Sequence, residues 1–268
     1  MTDDSRVLHA AVLGSPINHS LSPALHRAAY EALGLAWTYD AIQVREDELG
    51  TFLQQLDDSW AGLSLTMPLK EVAIGLCDEV DEQALAIRSV NTLLPIASGW
   101  RGTNTDIHGI VRSLQEIGIE QPLGSALILG AGATARSAMA ALARIGADLV
   151  TVAARRTKAA TELVDLARQL GVAASIVPWE PSTSSMDVDL VISSLPDQAG
   201  RDWARVAPQA PGALLDAAYH PWPTPLAAAW PNSRIANGRS MLLWQAVEQV
   251  RLMTGLEAPV EAMRASLA

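Results

Sequence analysis

Short apolar runs alternate with amphipathic stretches along the whole chain. Residues 7–13 are an apolar run closed by Gly14, which predicts a strand. Ser22-Pro23 then marks a helix start, with a hydroxyl to cap and a proline suited to the first turn. Leu25, Ala28, Ala29, Ala32 and Leu33 form its apolar stripe, and Gly34 ends it. Residues 37–44 read as a second strand, and Leu49, Phe52, Leu53 and Leu56 mark a second helix. Residues 62–68 read as a third strand, in which apolar positions alternate with Ser64 and Thr66. That strand is expected to run into a helix opening at residues 68–71. Residues 89–94 form a further strand, and a Ser-Gly turn leads to residues 100–106. Asp106 then opens a helix with the stripe Ile107, Ile110, Val111, Leu114 and Ile117. This alternation predicts one α/β unit.

The second half repeats the alternation around a glycine turn. Residues 125–129 are a buried-strand pattern, followed at once by Gly130-Ala131-Gly132-Ala133-Thr134-Ala135. An Ala- and Leu-rich helix runs to Ile145, Gly146 closes it, and residues 149–154 are the next apolar strand. A glycine turn between a strand and a helix is the dinucleotide-binding arrangement. Gly130 permits the tight turn, Gly132 lets backbone N–H groups approach a pyrophosphate at the helix N-terminus, and Ala135 is small enough for close helix–strand packing. A helix over 163–170, strands at 176–177, 190–193, 213–216 and 235–238, and helices over 240–254 and 259–267 complete the pattern.

The strand ending at Ala154 runs out into Arg155-Arg156-Thr157, and the nearest acid, Asp148, precedes it. An NAD site places a carboxylate near that strand end for the ribose 2′-hydroxyl. Two guanidiniums and a hydroxyl suit a 2′-phosphate instead, so the expected cofactor is NADP. The plainer reading of the arginines is a solvated loop pair.

Composition narrows the classes. The 268 residues are 49% hydrophobic and 18% charged, which fits a globular chain of one large or two small domains. A formal net charge of -10 argues against a nucleic-acid partner or an anionic membrane surface. The lone Cys77 precludes an internal disulfide framework and fits a reducing, cytoplasmic setting. No apolar run reaches membrane-spanning length, and Met1-Thr2-Asp3-Asp4 is unlike a signal peptide. The five histidines lack ligand spacing, so no metal is expected, and no G-x-S-x-G supports a serine hydrolase.

Candidate chemistry sits in the loops of the first half. The segment Gly14-Ser15-Pro16-Ile17-Asn18-His19-Ser20-Leu21-Ser22-Pro23 is dense in small polar groups at a strand end. Ser22 can serve as a helix cap; Ser20 is not needed for that. Lys70 in a first helical turn would stand against the helix dipole, which suggests a task, with a surface lysine as the alternative. Asp106 taken alone is an ordinary cap.

Together these segments resemble the shikimate dehydrogenase family over nearly the whole chain. The loop 14–23 looks like its substrate loop, and Ser64-Leu65-Thr66-Met67-Pro68-Leu69-Lys70 resembles its N-V-T-x-P-x-K segment. Val90-Asn91-Thr92 and Asn104-Thr105-Asp106 are similar to its two Asn/Asp segments, and Gln245 falls at its late glutamine. The resemblance implies an α/β substrate domain over 1–106 and 241–268, a Rossmann NADP domain over 107–240, and an active site in the cleft between them. It further implies Lys70 and Asp106 as the catalytic pair. Ser20, Ser22 and Tyr219 would hold the substrate carboxylate, and Thr66, Asn91, Asp106 and Gln245 the ring hydroxyls. Gly130, Ala131, Gly132, Ala133, Arg155, Arg156 and Thr157 would bind NADP, with Gly238 and Met241 near the nicotinamide. The implied reaction is the reversible reduction of 3-dehydroshikimate to shikimate by a monomer or homodimer. A quinate/shikimate dehydrogenase and a non-catalytic NADP sensor are the alternatives. Three positions depart from the family pattern: Ser64 for Asn, Arg155 for Asn, and Ser240 for a second glycine.

Overall fold

The computed structural model describes residues 7–120, 122–209, 211–231 and 234–267; the acidic stretch 1–4 lies outside them. The chain divides into two units, one running through Thr105 and resuming at Gln245, the other spanning Asp106–Trp244.

In the first unit, β1 (His9–Gly14) leads to α1 (Ser22–Ala32), β2 (Thr38–Gln43), α2 (Leu49–Gln54) and β3 (Trp60–Leu65). A turn and a 3₁₀ segment (Val72–Leu76) follow, then β4 (Glu79–Val80), α3 (Glu82–Ala86), β5 (Thr92–Ile96) and β6 (Gly99–Thr103). The sheet order is β2-β1-β3-β5-β6-β4. β1 pairs in parallel with β2 and β3, whereas β5 is antiparallel to both β3 and β6. The hairpin β5–β6 and the short β4 and α3 interrupt the simple alternation that the hydrophobic pattern predicts. Leu13, Leu63, Leu65, Leu93 and Leu49 are buried in a core on one face of the sheet. The other face is covered as well: Ser64 is 3% exposed, and its Oγ accepts a 2.7 Å hydrogen bond from the buried Tyr39 hydroxyl. The alternation of apolar and polar residues in β3 therefore separates two buried faces, with the polar one satisfied internally.

The second unit opens with α4 (Asp106–Glu116) and continues through β7 (Leu123–Leu129), α5 (Ala133–Arg144), β8 (Ala147–Ala153), α6 (Thr157–Gln169), β9 (Ala173–Ile176) and β10 (Leu190–Ser193). α7 (Arg201–Ala204), β11 (Ala213–Asp216), α8 (Pro225–Ala229) and β12 (Ile235–Asn237) complete its sheet. α9 (Gly238–Thr254) starts here and ends in the first unit, where α10 (Val260–Ala265) packs on α1. All strands of this sheet are parallel in the order β12-β11-β10-β7-β8-β9. That is the doubly wound dinucleotide-binding order, with the glycine-turn strand β7 at the point where the order reverses. Ala135, Ala138 and Ala141 on α5 are wholly buried, and their small side chains let the helix approach the sheet.

Two local expectations are corrected. Residues 67–71 form a turn ahead of a 3₁₀ segment, so Lys70 does not lie in the first turn of an α-helix. The dipole argument therefore does not apply to it. Ser22 begins α1 but does not cap it. Leu21, at the cap position, is in the helical region at φ -88 and ψ -4, and no side chain makes a capping bond. Instead the Ser22 N–H donates to Ser20 Oγ at 3.3 Å, so Ser20 satisfies one of the helix's unpaired donors.

Candidate functional site

The candidate substrate residues of the first unit gather at one end of its sheet. β1 and β3 are parallel and both finish there, while β5 starts there because it runs the other way. Loop 15–22 leaves β1, Thr66 and the Lys70 turn leave β3, and Asn91 immediately precedes β5. Backbone bonds fix these pieces to one another. Ser15 N donates to Met67 O at 3.0 Å, and Thr66 N to Leu13 O at 2.9 Å. Leu65 N donates to Asn91 O at 2.7 Å, and Val90 N to Lys70 O at 2.9 Å. β6 ends beside them, with Asn91 N donating to Thr103 O at 3.0 Å.

Asn91 is the hub. It is 1% exposed, and its Oδ1 accepts from Thr105 N at 2.8 Å and from Thr92 Oγ1 at 2.8 Å. Its Nδ2 donates to Thr105 Oγ1 and to Gln245 Oε1, each at 3.1 Å. Asn104 Nδ2 anchors the adjoining segment on Ser89 O at 2.8 Å. Ser22 is buried and Ser20, Thr66, Lys70 and Gln245 are half-buried. The groups at this sheet end are thus mostly neutral donors and acceptors with one ammonium among them.

The second unit carries Asp106, Tyr219, Met241 and the dinucleotide residues. Asp106 is the first residue of α4 and 1% exposed. Tyr219 follows β11 in a loop pinned by Asp216, whose Oδ2 accepts from the α8-capping Thr224 Oγ1 at 2.6 Å. Burial raises the Tyr219 hydroxyl's pKa above its ordinary value, so it remains protonated near neutrality. The glycine turn, residues 155–157, Tyr219 and the start of α9 each follow the C-terminal end of a parallel strand, the edge where open α/β sheets bind ligands.

Gly130 has φ +105, a backbone region that side chains disfavour, and Gly130 N bonds to Ala153 O at 2.9 Å. Gly132 is different. Its φ of -93 suits any residue, and a Cβ there would meet nothing within 4 Å. Nothing among the described residues calls for glycine at that position. A phosphate seated on the N-terminus of α5 would: that end has no side-chain cap and no acid in its first turn, so its N–H groups remain for an anion. Arg155 and Arg156 are exposed, and their guanidinium groups have no partner among the described residues. Asp148 lies near the opposite end of β8, roughly 20 Å along the strand, too far to serve a ribose at residue 155. Gly238 has a steric reason of its own, because a Cβ there would collide with the Ala217 carbonyl.

Comparison with known proteins fits this geometry. Residues 12–93 match the shikimate dehydrogenase substrate binding domain, and residues 238–268 the shikimate 5′-dehydrogenase C-terminal domain. An NADP(+) shikimate dehydrogenase of Desulforamulus reducens is 34% identical to the chain, covering 94% of it and 92% of the relative. The chain belongs to the shikimate dehydrogenase family. The crystal structure of the shikimate dehydrogenase of Mycobacterium tuberculosis is 42% identical, with a TM-score of 0.90 over 97% of this chain and 98% of that one. That of Thermus thermophilus, in complex with NADP(H) and shikimate, is 32% identical with a TM-score of 0.85 over 97% and 98% of the two chains.

Two departures from the shikimate dehydrogenase pattern have local explanations. Ser64 is bound to Tyr39. Ser240 donates from its Oγ to Glu116 Oε2 at the end of α4, while its N–H is capped by Asn237 Oδ1 at 2.9 Å. Sequence reasoning missed Gln249, which is 1% exposed and bonded to Thr92. Its one signal was its place four residues after Gln245, which puts both amides on one helix face.

Proposed function

We propose that the chain catalyses the reversible, NADPH-dependent reduction of 3-dehydroshikimate to shikimate. The observation that carries this reading is the cluster at the first unit's sheet end, where Thr66 and Gln245 offer neutral hydrogen-bonding groups around the Lys70 turn and Asn91 holds Gln245 in place. A small polyhydroxylated ring acid requires many such groups and few charges. In this reading Thr66, Asp106 and Gln245 take the ring hydroxyls, Asn91 joins them by exchanging one of its internal bonds, and Ser20, Ser22 and Tyr219 take the carboxylate. Gly130 to Ala133, with Arg155, Arg156 and Thr157, would hold NADP, with Gly238 and Met241 serving its nicotinamide end, and the cofactor would supply the hydride. Lys70 gives the proton to the ketone oxygen, or takes it in the reverse direction, and Asp106 orients the ammonium and the reacting hydroxyl. The test is steady-state turnover of shikimate and of quinate, each with NADP and NAD. Shikimate with NADP should give the highest kcat/KM; no turnover of shikimate, or a preference for quinate, would overturn the assignment.

Ser22 provides a second check. Because its hydroxyl makes no capping bond, Ser22→Ala should leave thermal stability nearly unchanged, short of the roughly 1 kcal/mol that losing a cap costs. The KM for shikimate should rise while that for NADP stays put. A lower melting temperature with an unaltered shikimate KM would show that the hydroxyl serves the fold.

A further inference from the structure

A continuous path of buried hydrogen bonds in the first unit ends on Asn91 and Gln245. It begins on α1, where the Tyr30 hydroxyl donates to His26 Nδ1 at 3.5 Å and His26 Nε2 donates to Gln249 Oε1 at 3.3 Å. Gln249 Nε2 donates to Thr92 Oγ1 at 2.9 Å and to Asn91 O at 3.4 Å. Thr92 Oγ1 donates to Asn91 Oδ1, and Asn91 Nδ2 to Gln245 Oε1.

Each direction is forced by the one beside it. The Thr105 backbone N–H can only donate, so the Asn91 atom facing it is Oδ1 and the other is Nδ2. Nδ2 can only donate, so Gln245 turns Oε1 toward it and Nε2 away. Oδ1 can only accept, so Thr92 commits its proton there and must itself accept from Gln249. That leaves Gln249 Oε1 facing His26. Burial lowers the His26 pKa to about 3, so the imidazole is neutral near neutrality and keeps one N–H for Gln249. Stacking on Tyr39 at 3.9 Å between ring centroids holds it in place.

A leucine at position 249 would fill similar space without a polar group to satisfy. A fully paired buried network instead fixes positions and rotamers. We infer that Gln249 is a positioning residue for the substrate: it docks the α9 turn that carries Gln245 onto the start of β5 and, through Thr92, orients the Asn91 and Gln245 amides. Gln245 Nε2, which has no hydrogen-bond partner among the described residues, is thereby presented as a donor to a ligand oxygen.

This rests on the reading of Gln245, held by Asn91, as a ring-hydroxyl contact, and the test separates the two. Gln249→Leu and Thr92→Val should each raise the shikimate KM about tenfold, the effect of one hydrogen bond, with NADP KM within about twofold of wild type. Thr92→Ser, which keeps the hydroxyl, should stay within about threefold of wild type, and the double variant should be little worse than the worse single one. An unmoved shikimate KM, equal effects of Thr92→Val and Thr92→Ser, or parallel rises in both KM values would overturn the inference. If Gln249→Leu does not fold, the two Thr92 variants decide it. Asn91→Ala is the control: if it leaves the shikimate KM unchanged, the substrate reading itself falls. If it raises KM strongly while the Gln249 and Thr92 variants do not, only the positioning role falls.

Discussion

Lys70→Ala should lower kcat by roughly 10²–10⁴-fold, the range for losing a general acid–base group, while the shikimate KM moves far less. The structure explains why this loss would be chemical rather than a collapse of the site. The turn that carries Lys70 is held through its backbone: Leu69 N donates to Thr66 O at 2.9 Å, and Val90 N to Lys70 O at 2.9 Å. Alanine keeps both backbone bonds, so Thr66 and Asn91 remain in place while the ammonium is lost. Asp106→Ala should impair both binding and turnover, because the carboxylate is assigned to the substrate hydroxyl as well as to the lysine. It should also cost some stability, since an acid in a first helical turn favours the helix by about 0.3–1 kcal/mol. If the two residues act as one unit, the double variant will be little slower than the worse single one. A near-normal kcat in Lys70→Ala would remove the lysine from the mechanism.

The hydrophobic pattern reveals the second unit more fully than the first. A parallel, doubly wound sheet buries both faces of its central strands, so β10 and β11 appear as unbroken apolar runs, and their bounds at 190–193 and 213–216 are those the pattern predicts. The first unit mixes parallel and antiparallel pairs, and its β5–β6 hairpin turns at Ala97-Ser98, with Gly99 already in β6 and no helix between the strands. There periodicity identifies the pieces but not their pairing. The individual site residues were visible as motifs, whereas their supports were not. Ser20 rather than Ser22 serves the helix start because the backbone at Leu21 turns helical, which no residue type announces. Gln249 is hidden for a similar reason: its role lies in contacts with Thr92 and His26, 157 and 223 residues away in sequence.

The cofactor site yields the other large expected effect, a strong preference for NADP over NAD that collapses when its arginines are removed. β8 delivers Arg155 and Arg156 at its C-terminal end, and Thr157 opens α6, so two guanidiniums, a hydroxyl and a helix N-terminus meet there. The helix begins without a side-chain cap and without an acid in its first turn, which leaves its N–H groups and dipole to favour an anion. β8 itself offers no carboxylate at that end to accept a ribose hydroxyl, since its one acid, Asp148, is at the far end. A 2′-phosphate is therefore the group these residues suit, and Arg can hold it through two parallel bonds. Arg156→Ala should cut kcat/KM for NADP by roughly tenfold to a hundredfold, the loss of a charge-assisted contact, and leave kcat/KM for NAD nearly unchanged. Replacing both arginines should bring the two cofactors close to parity. Because the guanidiniums are exposed, the wild-type preference should also shrink as ionic strength rises and screens the phosphate contact. Equal use of NAD and NADP by the wild type, or an equal loss with both cofactors in Arg156→Ala, would show that these arginines do not read the phosphate.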